Sequence, residues 1–150
     1  MLNQMIADSL RTQLEDKTKD DLRRMCKSIL DDVCDGILIT EENKSDWTNA
    51  DDEHLWMGHY VDASDWISNN VYDERYLLNT DNELIEVQLM VAGGGPSIWV
   101  HCSANSVEVH GYWGGDHVKF DAFYEDGLGV WGYYNELVIF ERRRKWTRNT

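Results

Sequence analysis

The stretch that decides the fold runs from Leu84 to Phe123 and reads LIEVQLMVAGGGPSIWVHCSANSVEVHGYWGGDHVKFDAF. Runs in which apolar and polar residues alternate are separated here by clusters rich in Gly, Pro, Asn and Ser. These clusters are Gly93–Pro96, Ser103–Ser106 and Gly114–Asp116. Alternating runs bounded by such clusters are typical of consecutive β-hairpins. The stretch therefore predicts a sheet of three to four antiparallel strands, with Val107 and Val109 on one buried face.

The residues before this stretch have helical periodicity. The apolar residues of positions 2–14 are Leu2, Met5, Ile6, Leu10 and Leu14. Their spacing of three or four positions is that of one helix face. Thr18 has the chemistry of a helix N-cap, and Gly36 has that of a residue just past a helix end. We therefore expect two N-terminal helices, joined near Thr18, that pack as a hairpin.

Two shorter helical patterns complete the chain. Ser64 predicts the start of a short helix over residues 65–71, and residues 133–146 predict a C-terminal helix. A chain of 150 residues has the length of one domain. A domain of this length buries about two-thirds of the surface that its unfolded chain exposes. Because helices, then a sheet and then a helix is an α+β order, we predict a single α+β domain over residues 1–150.

The charge of the chain is strongly negative and unevenly distributed. The sequence has 28 acidic and 14 basic residues, which gives a formal net charge of −14. Residues 31–90 hold sixteen acidic and two basic residues, so this segment accounts for the whole imbalance. Phosphate backbones and anionic membranes should repel such a protein, whereas basic surfaces should attract it. We therefore predict a basic protein partner, with no direct binding to nucleic acid and none to membranes.

The acidic segment provides the candidate binding residues. Carboxylates interleaved with aromatic residues such as Trp47, Tyr60 and Tyr72 are typical of protein interfaces. The alternative is that these carboxylates form only a solvated face. The candidate residues are Asp31, Asp32, Asp35, Glu41, Glu42, Asp46, Asp51, Asp52, Glu53, Asp62, Asp65, Asp73 and Glu74.

The cysteines and the N-terminus indicate a cytosolic protein. The three cysteines are Cys26, Cys34 and Cys102, an odd number without a CxxC motif, so reduced thiols are expected rather than disulfides. The first residues lack the order of a signal peptide. The sequence also lacks an apolar run of about 18 residues, so we expect no membrane span.

The histidines of the sheet stretch are a weak signal for catalysis. His101 and Cys102 are adjacent on a strand, so they point to opposite faces and cannot form a Cys–His pair with each other. A small hydrolase that uses His101, His110 and Asp116 remains an alternative. Because no complete metal-binding or nucleotide-binding motif is present, we predict a non-enzymatic protein without metal or cofactor.

The acidic segments 31–53 and 62–74, in a small chain rich in aromatic residues, carry a resemblance to a known class. The chain resembles the small acidic inhibitors of phages and mobile elements, the anti-restriction and anti-CRISPR proteins. The resemblance implies nucleic-acid mimicry, in which the protein occupies the basic groove of a host defence nuclease, a nucleoprotein effector or another nucleic-acid-binding protein. It implies no catalytic residue. The basic tail from Arg142 to Arg148 departs from the pattern of an all-acidic mimic.

A second hypothesis does not depend on charge. The edge of the sheet, or an aromatic face formed by Trp99 and Trp113, provides a surface for a partner or for a second copy of the chain. The protein is then a small adaptor or an immunity-type protein, and a homodimer is one form of it.

Overall fold

The computed structural model describes residues 2–47 and 58–148. The element order confirms the predicted α+β class, with helix before the sheet and helix after it. The helices and strands are α1 (Leu2–Asp35), a 3-10 turn (Lys44–Asp46), α2 (Ala63–Asn70), β1 (Asp73–Leu78), β2 (Leu84–Ala92), β3 (Ser97–Cys102), β4 (Ser106–Trp113), β5 (Asp116–Phe123) and α3 (Val130–Arg148).

The sheet has five antiparallel strands in the order β1-β2-β3-β4-β5, rather than the three to four that the sequence predicts. The turns predicted at Gly93–Pro96, Ser103–Ser106 and Gly114–Asp116 each lie between two neighbouring strands, so the hairpin prediction is confirmed. The additional strand is β1, which pairs with β2. Every residue of β1 is exposed, and for that reason its sequence lacks the alternation that marks a half-buried strand.

One face of the sheet forms the core with the second half of α1. The predicted burial of Val107 and Val109 is confirmed, because both are fully buried. Leu22, Cys26 and Val33 of α1 are also fully buried, and α1 lies against β4 and β5. The spacing of four and seven residues between these three positions puts them on one helix face. The sheet is therefore covered on the side of its buried valines.

The N-terminal helix is continuous, so the predicted hairpin of two helices is wrong. Thr18 lies in the interior of α1 and does not start a second helix. The residues around it, Glu15 to Asp21, contain no Gly or Pro that would interrupt a helix. The helix ends at Asp35, and Gly36 follows with a φ of 81°, as its predicted place after the helix end requires.

The two later helices begin earlier than the sequence predicts. Helix α2 starts at Ala63, so Asp62 and not Ser64 precedes it. Helix α3 starts at Val130 because the preceding loop satisfies its first amide groups. Gly132 N donates to Asp126 Oδ2 at 3.0 Å, and Trp131 N donates to the Tyr124 hydroxyl at 3.1 Å. A carboxylate at the N-terminus of a helix is also favoured by the helix dipole.

Strand β1 is attached to α3 through a single carboxylate. Glu74 Oε1 accepts a hydrogen bond of 2.9 Å from the Tyr134 hydroxyl, and its Oε2 accepts one of 2.7 Å from the Tyr76 hydroxyl. The two tyrosine rings meet edge to face with centroids 5.9 Å apart. Burial and these bonds to Glu74 raise the pKa of both phenols. The edge strand is therefore held by side chains as well as by its ladder with β2. Within the described ranges, no helix is long and apolar enough to cross a membrane.

Candidate functional site

The C-terminal end of α1 is met by two other segments of the chain. Leu128 N donates a hydrogen bond of 3.2 Å to Val33 O, which holds the loop before α3 against the helix end. Val61 N donates one of 2.8 Å to Ile37 O, which brings the residues before α2 to the same place. Acidic residues of segments that are far apart in the sequence are therefore brought toward the end of α1.

The 3-10 turn joins this group through α2. Asn69 Nδ2 donates a hydrogen bond of 2.9 Å to Asp46 O, so the turn lies beside the helix that begins next to α1. We call the resulting surface the acidic end. We assign to it the acidic residues of these joined segments, which are Asp31, Asp32, Asp35, Glu41, Glu42, Asp46, Asp62, Asp65 and Glu125.

Three carboxylates of the acidic end lie where a helix disfavours negative charge. Asp31, Asp32 and Asp35 occupy the end of α1, whose last turn contains no basic residue. The C-terminus of a helix carries the negative end of the helix dipole, which acts on a charge by roughly 0.3–1 kcal/mol. Burial raises the pKa of the Asp32 carboxyl, and the charges of Asp31 and Asp35 raise it further. The end of α1 is therefore an electrostatically unfavourable position for the negative charges of these three carboxylates.

Two lysines beside the acidic end form ion pairs with residues of their own segments. Lys27 Nζ lies 2.7 Å from Asp31 Oδ1, and Lys44 Nζ lies 3.1 Å from Glu41 Oε1. Such local pairs at the surface contribute about 0–1 kcal/mol and are screened by salt. They offset two of the carboxylates, so the acidic end keeps a net negative charge.

The structure separates some predicted binding residues from the acidic end. Asp73 and Glu74 lie on β1, and the carboxylate of Glu74 is engaged by the two tyrosines described above. Asp51, Asp52 and Glu53 lie outside the described residues. Conversely, Glu125 is not among the binding residues that the sequence predicts, because it lies beyond the acidic segment 31–90. Only the contact between its loop and α1 brings its charge close to the helix end, where it acts on the Cys34 thiol.

The opposite face of the sheet carries a second group of polar side chains. His101 on β3 pairs directly with Glu108 on β4, and His110 follows two residues later on the same face. His117 on β5 pairs with Tyr112, the next residue of β4 on that face. Alternation places all of them opposite the buried valines. We call His101, Glu108, His110 and His117 the histidine cluster.

The nitrogen and oxygen atoms of the histidine cluster converge. His110 Nε2 lies 3.2 Å from Glu108 Oε2, and His110 Nδ1 lies 3.2 Å from His117 Nε2. The rings of His101 and His110 have centroids 4.5 Å apart. Ligand-type atoms of His101, Glu108 and His110 all lie within 4.8 Å of one another. This is a separation at which three side chains can share one cation.

Burial and neighbouring groups shift the pKa values of His101 and Glu108. Burial lowers the pKa of His101, and the charge of His110 lowers it further. The hydrogen bond from His110 holds the pKa of Glu108 below its usual value, and Lys119, with Nζ 3.3 Å from Glu108 Oε1, acts in the same direction. At neutral pH, the favoured form of His101 is therefore the neutral imidazole, and the favoured form of Glu108 is the ionised carboxylate.

Two groupings that the sequence predicted are not formed. Asp116 pairs with Trp113 at the far end of β4 and β5, and alternation puts both on the face of the buried valines, where Trp113 packs against the core. Asp116 is therefore not beside His101 and His110, so the predicted hydrolase residues do not meet. Trp99 pairs with His110 on the open face, so it does not share an aromatic face with Trp113.

The cysteines are free thiols, and two of them, Cys26 and Cys102, are buried. Burial raises the pKa of Cys26 to about 11 and also raises that of Cys102. Because the thiolate is the nucleophilic form of cysteine, these two residues do not provide a reactive group.

A comparison with family models, curated proteins and solved structures finds no match to this chain. The two surfaces with functional potential are therefore the acidic end and the histidine cluster.

Proposed function

We propose that the protein is a non-enzymatic inhibitor that uses its acidic end to occupy the basic, nucleic-acid-binding groove of another protein. The partner class is a cytosolic defence nuclease of the restriction or CRISPR type, as the resemblance noted above implies. The observation that carries the proposal is the position of Asp31, Asp32 and Asp35 at the end of α1. Residues that oppose local stability without a packing or capping reason are typical of functional surfaces.

A basic groove would add cations to that of Lys27, which already forms an ion pair with Asp31. Cations that lie against the end of α1 would complement the helix dipole and relieve the repulsion that raises the pKa of Asp32. The net charge of −14 would also steer the protein toward such a groove from a distance. The free thiols support the cytosolic compartment in this proposal, because disulfides are rare there.

The test is a charge reversal at the acidic end. A variant with Asp35→Lys, Glu42→Lys and Asp62→Lys should inhibit less and should associate more slowly with its target at low salt, because steering is lost. Added salt should reduce the difference from the parent protein. DNA-cleavage assays with a panel of purified restriction and CRISPR nucleases identify the target, and surface plasmon resonance then measures the association rate. Loss of stability is not the expected cause of weaker inhibition. The dipole of α1 favours the cation that Asp35→Lys introduces, which offsets the unfavourable cation that Asp62→Lys puts before α2. Urea denaturation of the variant checks this balance.

A matched control keeps the same net charge. Asp81→Lys, Asp121→Lys and Glu136→Lys reverse three carboxylates outside the acidic end, so both triple variants change the charge of the chain equally. The control should keep most of the inhibition. If the parent inhibits no nuclease of the panel, or if the two triple variants inhibit equally, the acidic end is not the binding surface.

The adaptor hypothesis has one feature of the fold in its favour. Strand β1 is an exposed edge, with Leu77 and Leu78 about half exposed, and such an edge can pair with another chain. Binding through this edge would not depend on salt. A partner that the acidic-end variant binds as tightly as the parent would therefore favour the adaptor over the inhibitor.

A further inference from the structure

We propose that His101, Glu108 and His110 form a binding site for one divalent transition-metal ion, of which Zn²⁺ fits best. The site lies on the open face of the sheet, separate from the acidic end. It is independent of the proposed inhibitor function, so either proposal can fail without the other.

The sheet itself holds the three side chains together. His101 and Glu108 are directly opposite each other in the ladder of β3 and β4, and His110 lies diagonally across from His101. Side chains that are directly opposite in an antiparallel pair have Cβ atoms about 4.5–5.5 Å apart. The ladder therefore brings the ligands together before an ion arrives, and their position does not depend on a loop.

The chemistry of the ligands selects the metal. Two imidazoles and one carboxylate are a set that zinc uses with three protein ligands and an open fourth position. Mg²⁺ and Ca²⁺ prefer sets made only of oxygen. Among divalent first-row metals, imidazole suits Zn²⁺, Cu²⁺ and Ni²⁺, so these ions, but not Mg²⁺ or Ca²⁺, should bind.

The distances suit a single ion. Ligands at zinc distances in a tetrahedral arrangement are about 3.3 Å from one another. His110 Nε2 and Glu108 Oε2 are 3.2 Å apart, close to this value. A ring nitrogen of His101 also lies within 4.8 Å of one ligand-type atom of each of the other two residues, so a small side-chain rotation completes the set.

Two further side chains orient the ligands from behind. His117 Nε2 lies 3.2 Å from His110 Nδ1, which leaves Nε2 of His110 directed at Glu108. Lys119 Nζ lies 3.3 Å from Oε1 of Glu108, the oxygen that is not used by His110. Metal sites commonly hold each ligand in this way through its second polar atom.

The site is also accessible to an ion. The side chain of His110 is 14% exposed and that of Glu108 is 32% exposed, so the ligands are partly shielded but still reached by solvent. The fourth position of the metal would face solvent, where a water molecule or a side chain of a partner would complete the coordination.

The test is a titration of the full chain with Co²⁺ as a spectroscopic probe, after treatment with EDTA and dialysis. One equivalent should bind and give the visible absorption of a tetrahedral cobalt site, and Zn²⁺ should abolish this absorption by displacement. His101→Gln and His110→Gln should each weaken binding by more than about 100-fold, because removing a ligand should exceed the 10–100-fold effect of an outer partner. His59→Gln removes an exposed histidine outside the cluster and should change nothing.

Two more variants keep the test decisive. His117→Gln should weaken binding by about 10–100-fold while the stoichiometry stays at one, which is the effect of an orienting partner. Glu108→Gln keeps the shape of the side chain but removes the charged ligand. It replaces the histidine variants in the test if circular dichroism shows that they do not fold. The proposal is overturned if the parent binds no Co²⁺ at micromolar concentrations, if Glu108→Gln binds as tightly as the parent, or if His59→Gln removes the site.

Discussion

At the scale of single residues, Gly111 determines how closely the helix lies on the sheet. It is buried on β4, directly beneath α1. A Cβ atom at this position would lie 2.5 Å from Cys26 Sγ and 2.9 Å from Leu22 Cδ1. Neither neighbour is the end of a long flexible side chain, and both are fully buried. The helix and the strand therefore require glycine here for their distance of approach.

Gly111→Ala should lower the free energy of unfolding by about 1–3 kcal/mol, the usual cost of overpacking a core. Urea denaturation measures this change. Gly115→Ala is the matched control, because a Cβ atom there meets nothing within 4 Å, and the alanine should leave stability equal or raise it by about 0.4–1 kcal/mol. A Gly111→Ala protein as stable as the parent would mean that α1 does not approach β4 this closely.

The sequence predicts some members of the histidine cluster but not all of them. The hydrolase alternative places His101 and His110 in one site, and the structure brings their rings to a centroid distance of 4.5 Å. The sequence predicts Asp116 as the third residue of this site, whereas the register of β3 and β4 puts Glu108 directly opposite His101. Turn residues predict that two strands pair, but the ladder decides which side chains face each other.

At the scale of elements, the sequence predicted those parts whose burial leaves a pattern. The strands of residues 84–123 alternate because one face of the sheet is buried. The structure confirms these predicted strands. Strand β1 has no buried residue, so no alternation revealed it. The capping chemistry of Thr18 predicts a helix boundary there, yet α1 is continuous because a cap residue alone does not interrupt a helix that lacks Gly or Pro.

The two halves of α1 should contribute very differently to stability. Among the residues before Leu22 whose side chains are described, none is buried, and Leu10 is 55% exposed. Leu10→Ala should therefore change the free energy of unfolding by less than about 0.5 kcal/mol, as surface substitutions usually do. Leu22→Ala, in the same helix, should cost about 2–5 kcal/mol, because Leu22 is fully buried.

Thermal and urea denaturation of these two variants provide the measurement, and each serves as the control of the other. Helix propensity is matched because both replace the same residue type in a helix interior. Equal losses in the two variants would show that the first half of α1 packs against another part of the protein or against a second copy.

At the scale of the whole molecule, the sequence predicts the excess of negative charge, and the fold determines which carboxylates share one surface. Sixteen of the 28 acidic residues lie in the segment 31–90. Folding removes Glu74 from the candidate surface, adds Glu125, and brings the remaining described acids of the acidic end to one place. Hydrogen bonds between distant segments make this arrangement, such as that from Leu128 N to Val33 O, and counting charges along a chain cannot reveal them.

Mutual repulsion at the acidic end should make the stability of the protein depend on salt. The Debye length falls from roughly 30 Å at 0.01 M salt to roughly 3 Å at 1 M salt, so added salt should raise the thermal unfolding midpoint of the parent. Reversal of Asp35, Glu42 and Asp62 to Lys should remove much of this rise, whereas the control reversal of Asp81, Asp121 and Glu136 should preserve more of it. Scanning calorimetry at the two salt concentrations measures the three midpoints.

Because both variants carry the same net charge, general effects of salt cancel between them, and only the placement of the charges differs. An equal loss of salt dependence in the two variants would mean that repulsion is spread over the whole surface and that the end of α1 is under no particular electrostatic strain.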